Sequence, residues 1–503
     1  MQLGFVIDHT RCIGCHACTV ACKSENDVPL GKFRTWVKYT ERGAFPEVRR
    51  SFAVLRCNQC SAAPCVTICP VGALSKRPDG IVDVDPARCI GCKACMQGCP
   101  YDALYVNDTT GTAEKCHFCA HRTEVGLAPA CAVVCPTEAI IPGDFDDPAS
   151  AVSRLRAEND LRARKPEAGT GPNVLYREVS EDGVDPSRTH AAGGYLWSHP
   201  MPGLDLEAER YAALLGDAEA RTTYDVDHAP LWGSKVSAYL FTKSLASGLF
   251  LLLFLLMAAG SDPGSRTLAF CLGGALFFLG VTSALLVVDL KRPERFLYIL
   301  VHPNWSSWLA RGAFLLAGYG ALLTLFSLLM LLAPPSAGTR TALLAVTALF
   351  AFLTAAYTGW LFGQAKGRVL WMRRGLAAHL GVQAFLAGAA AVLLCLPALD
   401  ISGALVRWTA FAALVLHATF HLAEEPASPK GREREYRRTI GLMRGSGPLA
   451  RRKKTTHALT AFAALLLLAP WPGLWSAAGA LALLALYLDE DLLVRAGQKL
   501  PIS

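Results

Sequence analysis

Sixteen of the 18 cysteines fall between Cys12 and Cys135, in four groups of four. Cys12, Cys15, Cys18 and Cys22 are spaced C-x2-C-x2-C-x3-C; Cys89, Cys92, Cys95 and Cys99 repeat that spacing before Pro100. Cys57, Cys60, Cys65 and Cys69 read C-x2-C-x4-C-x3-C-P, and Cys116, Cys119, Cys131 and Cys135 insert 11 residues between the same opening and close. Thiolates two residues apart curl around one iron–sulfur cube, while the fourth, a helical turn further on, points at a neighbouring cluster. The proline after it turns the chain. Such groups work in pairs, which predicts four 4Fe-4S clusters in two intertwined dicluster units. Tetrahedral zinc needs neither the third cysteine nor the C-x3-C-P close. Disulfides belong to an oxidising compartment, and the short run before Cys12 leaves no room for a signal peptide. Cys12-Ile-Gly-Cys15-His16 also fits a haem c attachment pattern, but shares its cysteines with the longer run, so His16 is read as incidental.

The elements around these groups follow from composition. At about 150 residues per domain, 503 residues make about three units. The fold class expected is an α+β ferredoxin-like domain over 1–142, a polar linker or wrapping segment over 143–231, and an all-α polytopic membrane domain over 232–503. Residues 80–84 read as a strand and 71–74 as a turn leading into a helix. In the linker an amphipathic helix is expected over 149–164, a closing strand over 173–177 and a short helix near 206–215. Several windows of 20 or more uncharged residues exclude a wholly soluble chain, and the 52% hydrophobic content excludes disorder. The net charge of +8 is concentrated in a few loops and points to no nucleic-acid partner.

Eight spans are predicted near 234–260, 267–289, 308–333, 341–365, 375–398, 402–423, 455–470 and 473–489. The last two are short, and a re-entrant hairpin is the alternative. Trp232, Trp305, Trp308, Trp360, Trp371 and Trp408 lie near span ends, as interfacial anchors do. Loops on the N-terminal side carry Lys291, Arg292, Arg295, Lys366, Arg368, Arg373, Arg374, ten more Lys/Arg between Lys430 and Lys454, and Arg495 and Lys499. Opposite loops carry only Arg266 and Arg340. This asymmetry predicts a multi-pass protein of a bacterial or archaeal cytoplasmic membrane with the cysteine domain on the cytoplasmic face.

On the four cysteine groups, the insertion in the fourth and the Asn58-Gln59-Cys60…Pro64-Cys65 phrase, residues 1 to about 180 resemble the four-cluster ferredoxin subunit of the complex iron–sulfur molybdoenzyme family. The resemblance implies that group one pairs with group four and group two with group three. Some family members hold a three-iron cluster by replacing the second cysteine of group three; here that residue is Cys92, so four cubanes are expected. Asp289-Leu-Lys-Arg-Pro-Glu-Arg-Phe296 with Asn304-Trp-Ser-Ser-Trp308 resembles the polysulfide-reductase-type (NrfD-like) membrane anchor. That likeness covers about 230–490 and implies eight helices in two four-helix bundles, no haem, and a quinone on the cluster-bearing side. Lys291 stands where a glycine is common in that motif, and Lys243 lies inside the first span.

Quinone chemistry couples electrons to protons, so its site needs an apolar slot, donors to the ring carbonyls and a titratable group. The candidates are Tyr239, Lys243, Asp289, Arg292, Tyr357, Gln364 and His379, and the quinone is menaquinone or ubiquinone. Lys243 lies about 13 Å into its helix, and a charge at membrane depth usually marks a site. Asp289 is expected near Lys243, or paired with Arg292 or Arg295. Tyr357 and Gln364 share a helix face, as do Tyr239 and Lys243. His379 with His417 or His421 offers a haem b alternative, a proton relay or buried hydrogen bonds. The function expected is electron transfer between a separate molybdopterin-containing catalytic subunit and the quinone pool in membrane lipid. A redox-driven ion or proton translocator and a haem-containing quinol-oxidising anchor are the alternatives.

Overall fold

The computed structural model describes residues 1–42, 49–190, 220–227 and 231–502. Among the described residues the cysteine-rich half is built on two four-stranded sheets and two short hairpins. Leu3–Asp8 buries Phe5, Val6 and Ile7 completely; it runs antiparallel to Ile140–Asp144 and parallel to Val174–Arg177. In the second sheet Thr35–Arg42 pairs with Arg49–Arg56 and with Ala220–Tyr224. The hairpins are Leu74–Lys76 with Val82–Val84 and Leu104–Val106 with Ala113–Lys115.

Three expectations are corrected here. Residues 71–74 turn into a strand rather than a helix, Gly72 having a φ of 60° that no right-handed helix continues through. The helix of 149–164 is shorter, Ala151–Glu158, because Arg162–Ala163 leaves it to pair with Leu175 and Tyr176. The polar segment after 143 is more ordered than a tether: Arg162–Ala163, Val174–Arg177, Thr189–His190 and Ala220–Tyr224 supply strands to both sheets. Main-chain groups of Leu3–Asp8 and Thr35–Arg42 would otherwise be buried without partners, and the boundary set at 142 falls inside Ile140–Asp144. The helix expected near 206–215 lies outside the described residues.

Among the described residues the second half has eight long helices: Ser234–Ala258, Ser265–Asp289, Trp308–Leu332, Ala337–Gln364, Leu376–Leu394, Gly403–Leu422, Pro448–Leu468 and Pro472–Ala496. The first six are long and apolar enough to cross a membrane. The last two are longer than expected, 21 and 25 residues. Their charged ends set them apart: Arg451 to Lys454 open one, and Asp489, Glu490 and Asp491 lie in the last turns of the other. Arg452 joins the two ends by pairing with Asp491, while Lys453 pairs with Glu424 beyond the sixth helix. The first and fifth helices are central, 72% and 78% buried along their apolar windows, whereas the second and third are under 30% and present apolar side chains outward. Trp232 and Trp371 are corrected too. They are buried and stacked with ring centroids 5.5 Å apart, while Trp305 and Trp408 are exposed as anchors would be.

One apolar core runs without a break from the second and third cysteine groups into the membrane helices. The loops between helices grip the cysteine domain. Asn304 donates to the Val66 and Cys69 carbonyls, Ser307 to that of Ile68, and Arg295 to those of Pro86 and Cys89. The Lys291 and Arg292 main-chain N–H groups bond the Gly91 and Ile90 carbonyls. Gly91 has φ 66°, and a Cβ there would stand 2.5 Å from the Gly111 oxygen and 2.6 Å from the Lys291 Cβ. Only glycine allows that approach.

Candidate functional site

The sixteen cysteines assemble into four sets that do not follow the sequence groups. Cys12, Cys15, Cys18 and Cys135 line one small hollow, and Cys22, Cys116, Cys119 and Cys131 another. Cys57, Cys60, Cys65 and Cys99 are electrostatic neighbours, as are Cys69, Cys89, Cys92 and Cys95. Each set takes three cysteines from one group and the last cysteine of another. Left-handed residues at Gly14 and His16, and at Gly91 and Lys93, curl the two C-x2-C-x2-C loops. Burial, with the neighbouring sulfurs adding to it, pushes the thiol of Cys60 up to about 12; burial likewise raises Cys92 to about 12 and Cys18 to about 11. Four thiolates in so dry a site need a multivalent cation among them, which is the chemistry of an iron–sulfur cube.

Cys92 also lines a cavity of about 500 Å³ that opens among the first four membrane helices. Its wall is mostly apolar, leucine above all, with Trp232, Lys235, Tyr239, Ser283, Asp289, Thr324, Tyr357 and Thr358 as polar members. The Tyr239 and Tyr357 hydroxyls bond each other, and Tyr239 bonds Thr358 Oγ1 at 2.9 Å. Tyr357 occupies a notch left by Gly312, where a Cβ would stand 2.1 Å from its ring. Lys243 is fully buried behind this wall, donating to the Ala355 carbonyl at 3.0 Å and to Thr358 Oγ1 at 2.5 Å. It braces the hydroxyl network without lining the cavity.

The other candidates are placed differently. Asp289 is at the cavity but pairs with Lys93 of the cysteine domain at 2.9 Å, rather than with Lys243, Arg292 or Arg295. Arg292 donates to the Thr110 carbonyl and pairs with Glu294, so it fastens the two halves together outside the cavity. Gln364 is spent on main chain, accepting from the Trp308 N–H and donating to the Ser306 carbonyl, away from the cavity. His379 belongs to a separate buried cluster with His417, His421 and Asp489.

Arg373 donates to His379 Nδ1 at 2.7 Å, and His379 Nε2 meets His417 Nδ1 at 2.9 Å. Because arginine cannot accept, His379 carries its proton on Nε2 and donates to His417. Asp489 takes Gln383 Nε2 at 2.9 Å and faces His421 Nε2 at 3.1 Å. His379 and His417 thus bond each other directly, and the His421 ring stands edge-on to both.

Sequence reasoning missed Trp232 as a site residue, Thr358, Lys93 and Glu490, which accepts from Ser244 at 2.8 Å. The run Asp489-Glu490-Asp491 at the end of an apolar helix was the available signal for the last. Trp232 Nε1 is buried with no hydrogen-bond partner among the described residues, while its ring lines the cavity.

Comparison with known proteins agrees with this division. Residues 48–145 match the 4Fe-4S dicluster domain model and 225–400 the polysulphide reductase NrfD model. The chain is similar to a tetrathionate reductase subunit of Salmonella typhimurium, 45% identical over 189 residues covering 37% of this chain and 76% of the relative. It is likewise similar to the thiosulfate reductase electron transfer subunit PhsB of Salmonella typhi, 42% identical over 35% of this chain and 93% of the relative. The arsenate respiratory reductase iron–sulfur subunit ArrB of a Shewanella species is 37% identical over 35% of this chain and 96% of the relative. A ferredoxin-type half that these electron-transfer subunits share, continued by an NrfD-type helical half, makes this chain a member of the complex iron–sulfur molybdoenzyme family in which the iron–sulfur subunit and the membrane anchor are one multi-pass polypeptide.

Proposed function

We propose that the chain carries electrons between a separate molybdopterin-containing catalytic subunit and membrane quinone, through four 4Fe-4S clusters. The order of the sets supports a linear path. Cys15, in the set of Cys12, Cys18 and Cys135, is exposed, and Ile13, Val20, Val133 and Val134 around this end are exposed as well. That end suits a partner subunit. The set containing Cys22 follows, then that of Cys57, then that of Cys92.

The observation that carries the reading is the cavity bounded at once by Cys92 and by the Trp232–Tyr239–Tyr357 wall. Its volume and apolar lining suit a quinone ring. The unpaired indole N–H is a donor that a carbonyl oxygen would satisfy, beside two phenols already coupled to each other, and a buried donor left unmade costs about 1–3 kcal/mol. Bound clusters supply one-electron transfer. The chain's own groups orient the ring, keep water out, and hold protons on the Tyr239–Thr358–Lys243 network. All eight long helices span in this reading, with the cysteine half on the cytoplasmic side of a bacterial or archaeal inner membrane. The quinone is menaquinone or ubiquinone, and the relatives' names favour a partner acting on an oxyanion. Trp232→Phe and Tyr357→Phe test the cavity: quinol-dependent turnover should fall while iron content stays at the wild-type value. Unchanged turnover in both would remove the cavity from the path.

A second reading, ion or proton translocation, draws on the His379–His417–Asp489 chain and on Glu490, an electrostatic neighbour of Lys243. Proteoliposomes given quinol and an acceptor would favour it if they move protons beyond those of the quinone itself.

A further inference from the structure

Several cations in the interior of the cysteine half have a carboxylate, and Arg164 is held by the Val184 and Ile502 carbonyls. Lys93 meets Asp289 at 2.9 Å, Arg34 meets Glu114 at 3.1 Å and Lys38 meets Asp225 at 3.6 Å. Arg56 and Lys115 are different. Arg56 is fully buried, and no acidic group stands within ion-pair distance of it among the described residues. Its Nη1 donates to Cys131 Sγ at 3.2 Å, while Nε and Nη2 have no hydrogen-bond partner. The Phe5 ring, 4.4 Å from the guanidinium carbon, holds the group in place. Its charged neighbours are Cys131 and Cys116 of one set and Cys18 of the next. Lys115, 2% exposed, donates to the Cys116 carbonyl at 2.7 Å, and its charged neighbours are Cys57, Cys65 and Cys116, with Asp83 a weaker one.

A lone cation in a dry interior is unfavourable unless an anion stands beside it. Among the described residues the anions around Arg56 are the cysteine sulfurs, and those around Lys115 are cysteine sulfurs together with the more distant Asp83. A cube held by four thiolates carries net negative charge, and that charge grows by one when an electron enters; no bond forms or breaks and no proton moves. A fixed positive charge therefore favours the reduced form. So does a charged N–H donated to a ligand sulfur, because hydrogen bonds to sulfur and local net charge set cluster potentials.

We infer that Arg56 and Lys115 are positioning residues of the electron path, countercharges wedged between successive cysteine sets that raise the reduction potentials of the clusters on either side. Arg56 serves the sets of Cys18 and Cys131, and Lys115 those of Cys116 and Cys57. The inference rests on the four-cluster reading above. It adds that the first three clusters are linked electrostatically, so that charge on one is felt at the next through a shared cation.

The test is an EPR-monitored redox titration of the full-length chain, purified in detergent, with iron and sulfide assayed on the same samples. Arg56→Met keeps the length and removes the charge; Arg56→Lys keeps the charge. In Arg56→Met, iron content should be unchanged and the potentials of two clusters should move negative. The expected drop in their reduction equilibria is about tenfold, about 59 mV for one electron. Arg56→Lys should recover most of the shift, and Lys115→Met should move a pair sharing one member with the first. Wild-type potentials in both methionine variants at full iron content would overturn the inference. Equal iron loss in Arg56→Met and Arg56→Lys would overturn it too, since the arginine would then be needed for shape alone. Wild-type protein lacking four-cluster iron content would instead count against the reading on which the inference stands.

Discussion

In the proposed path the cysteine sets and the membrane cavity adjoin, and they are built by opposite means. A cysteine set takes three cysteines from one sequence group, in two sets from a single C-x2-C-x2-C loop, so local backbone geometry does most of the positioning. The cavity takes single side chains from four helices and the segment before them: Trp232, Tyr239, Ser283, Leu316 and Tyr357 come from five stretches of sequence. The first kind of site survives as long as its loop does. The second depends on packing at every wall. It is also the kind that a single notch residue, such as Gly312 under the Tyr357 ring, can undo.

The comparison breaks most sharply at Cys92, the residue common to both sites. Cys92→Ser should lose or convert one cluster and slow electron exchange with quinone by a hundredfold or more, in the manner of a severed wire. Iron analysis and EPR should show the other three sets intact. A spectrum identical to wild type would contradict the ligand assignment.

Next is the cavity wall. Trp232→Phe removes one donor and keeps the ring stack, so the apparent KM for quinol should rise about tenfold, the worth of one hydrogen bond of about 1.4 kcal/mol. Gln364→Ala and His379→Gln, both outside the cavity, should leave that KM within about twofold. Steady-state kinetics with a soluble quinol separates the two classes.

The seam between the sites carries a smaller effect. Asp289→Asn leaves Lys93 without its partner at a position only partly dry, where the pair is worth about 1 kcal/mol. Thermal unfolding in detergent should move down by a few degrees at unchanged iron content. A pH effect in the cysteine half is confined to acid solution and absent at neutral pH. Burial against Tyr176 pushes His9 down to about 4 even with Asp8 beside it. The neutral ring is favoured on folding, so this stabilisation is complete above the unfolded value near 6.5 and fades as the pH falls toward 4. His9→Asn should flatten the melting temperature across that window.

How much was legible in the sequence follows the same division. Cysteine spacing announces its own geometry, and the exchange of last cysteines between groups is carried by the C-x3-C-P close. Apolar runs announce the helices, though the last two were cut short because Arg451 to Lys454 and Asp489 to Asp491 read as loop when their cross-pairing is invisible. Asp289 and Arg292 stood out as charges near a membrane end, but their partners, Lys93 and Thr110, lie about two hundred residues away in the other half. Gln364 and His379 are polar groups in apolar helices, a pattern that flags a buried role without saying which. Trp232 was read as an interfacial anchor, because a tryptophan at a span end gives no sign that it folds back under Trp371.

The central claim is that electrons leaving the Cys92 set enter quinone in the adjoining cavity. Protein reduced with dithionite, freed of reductant and mixed anaerobically with a soluble menaquinone analogue tests it directly, with cluster absorbance followed in a stopped-flow cell. The account predicts rapid reoxidation of all clusters in wild type and a marked slowing in Trp232→Phe combined with Tyr357→Phe. Reoxidation at the same rate in that double variant, or none in wild type, would contradict it.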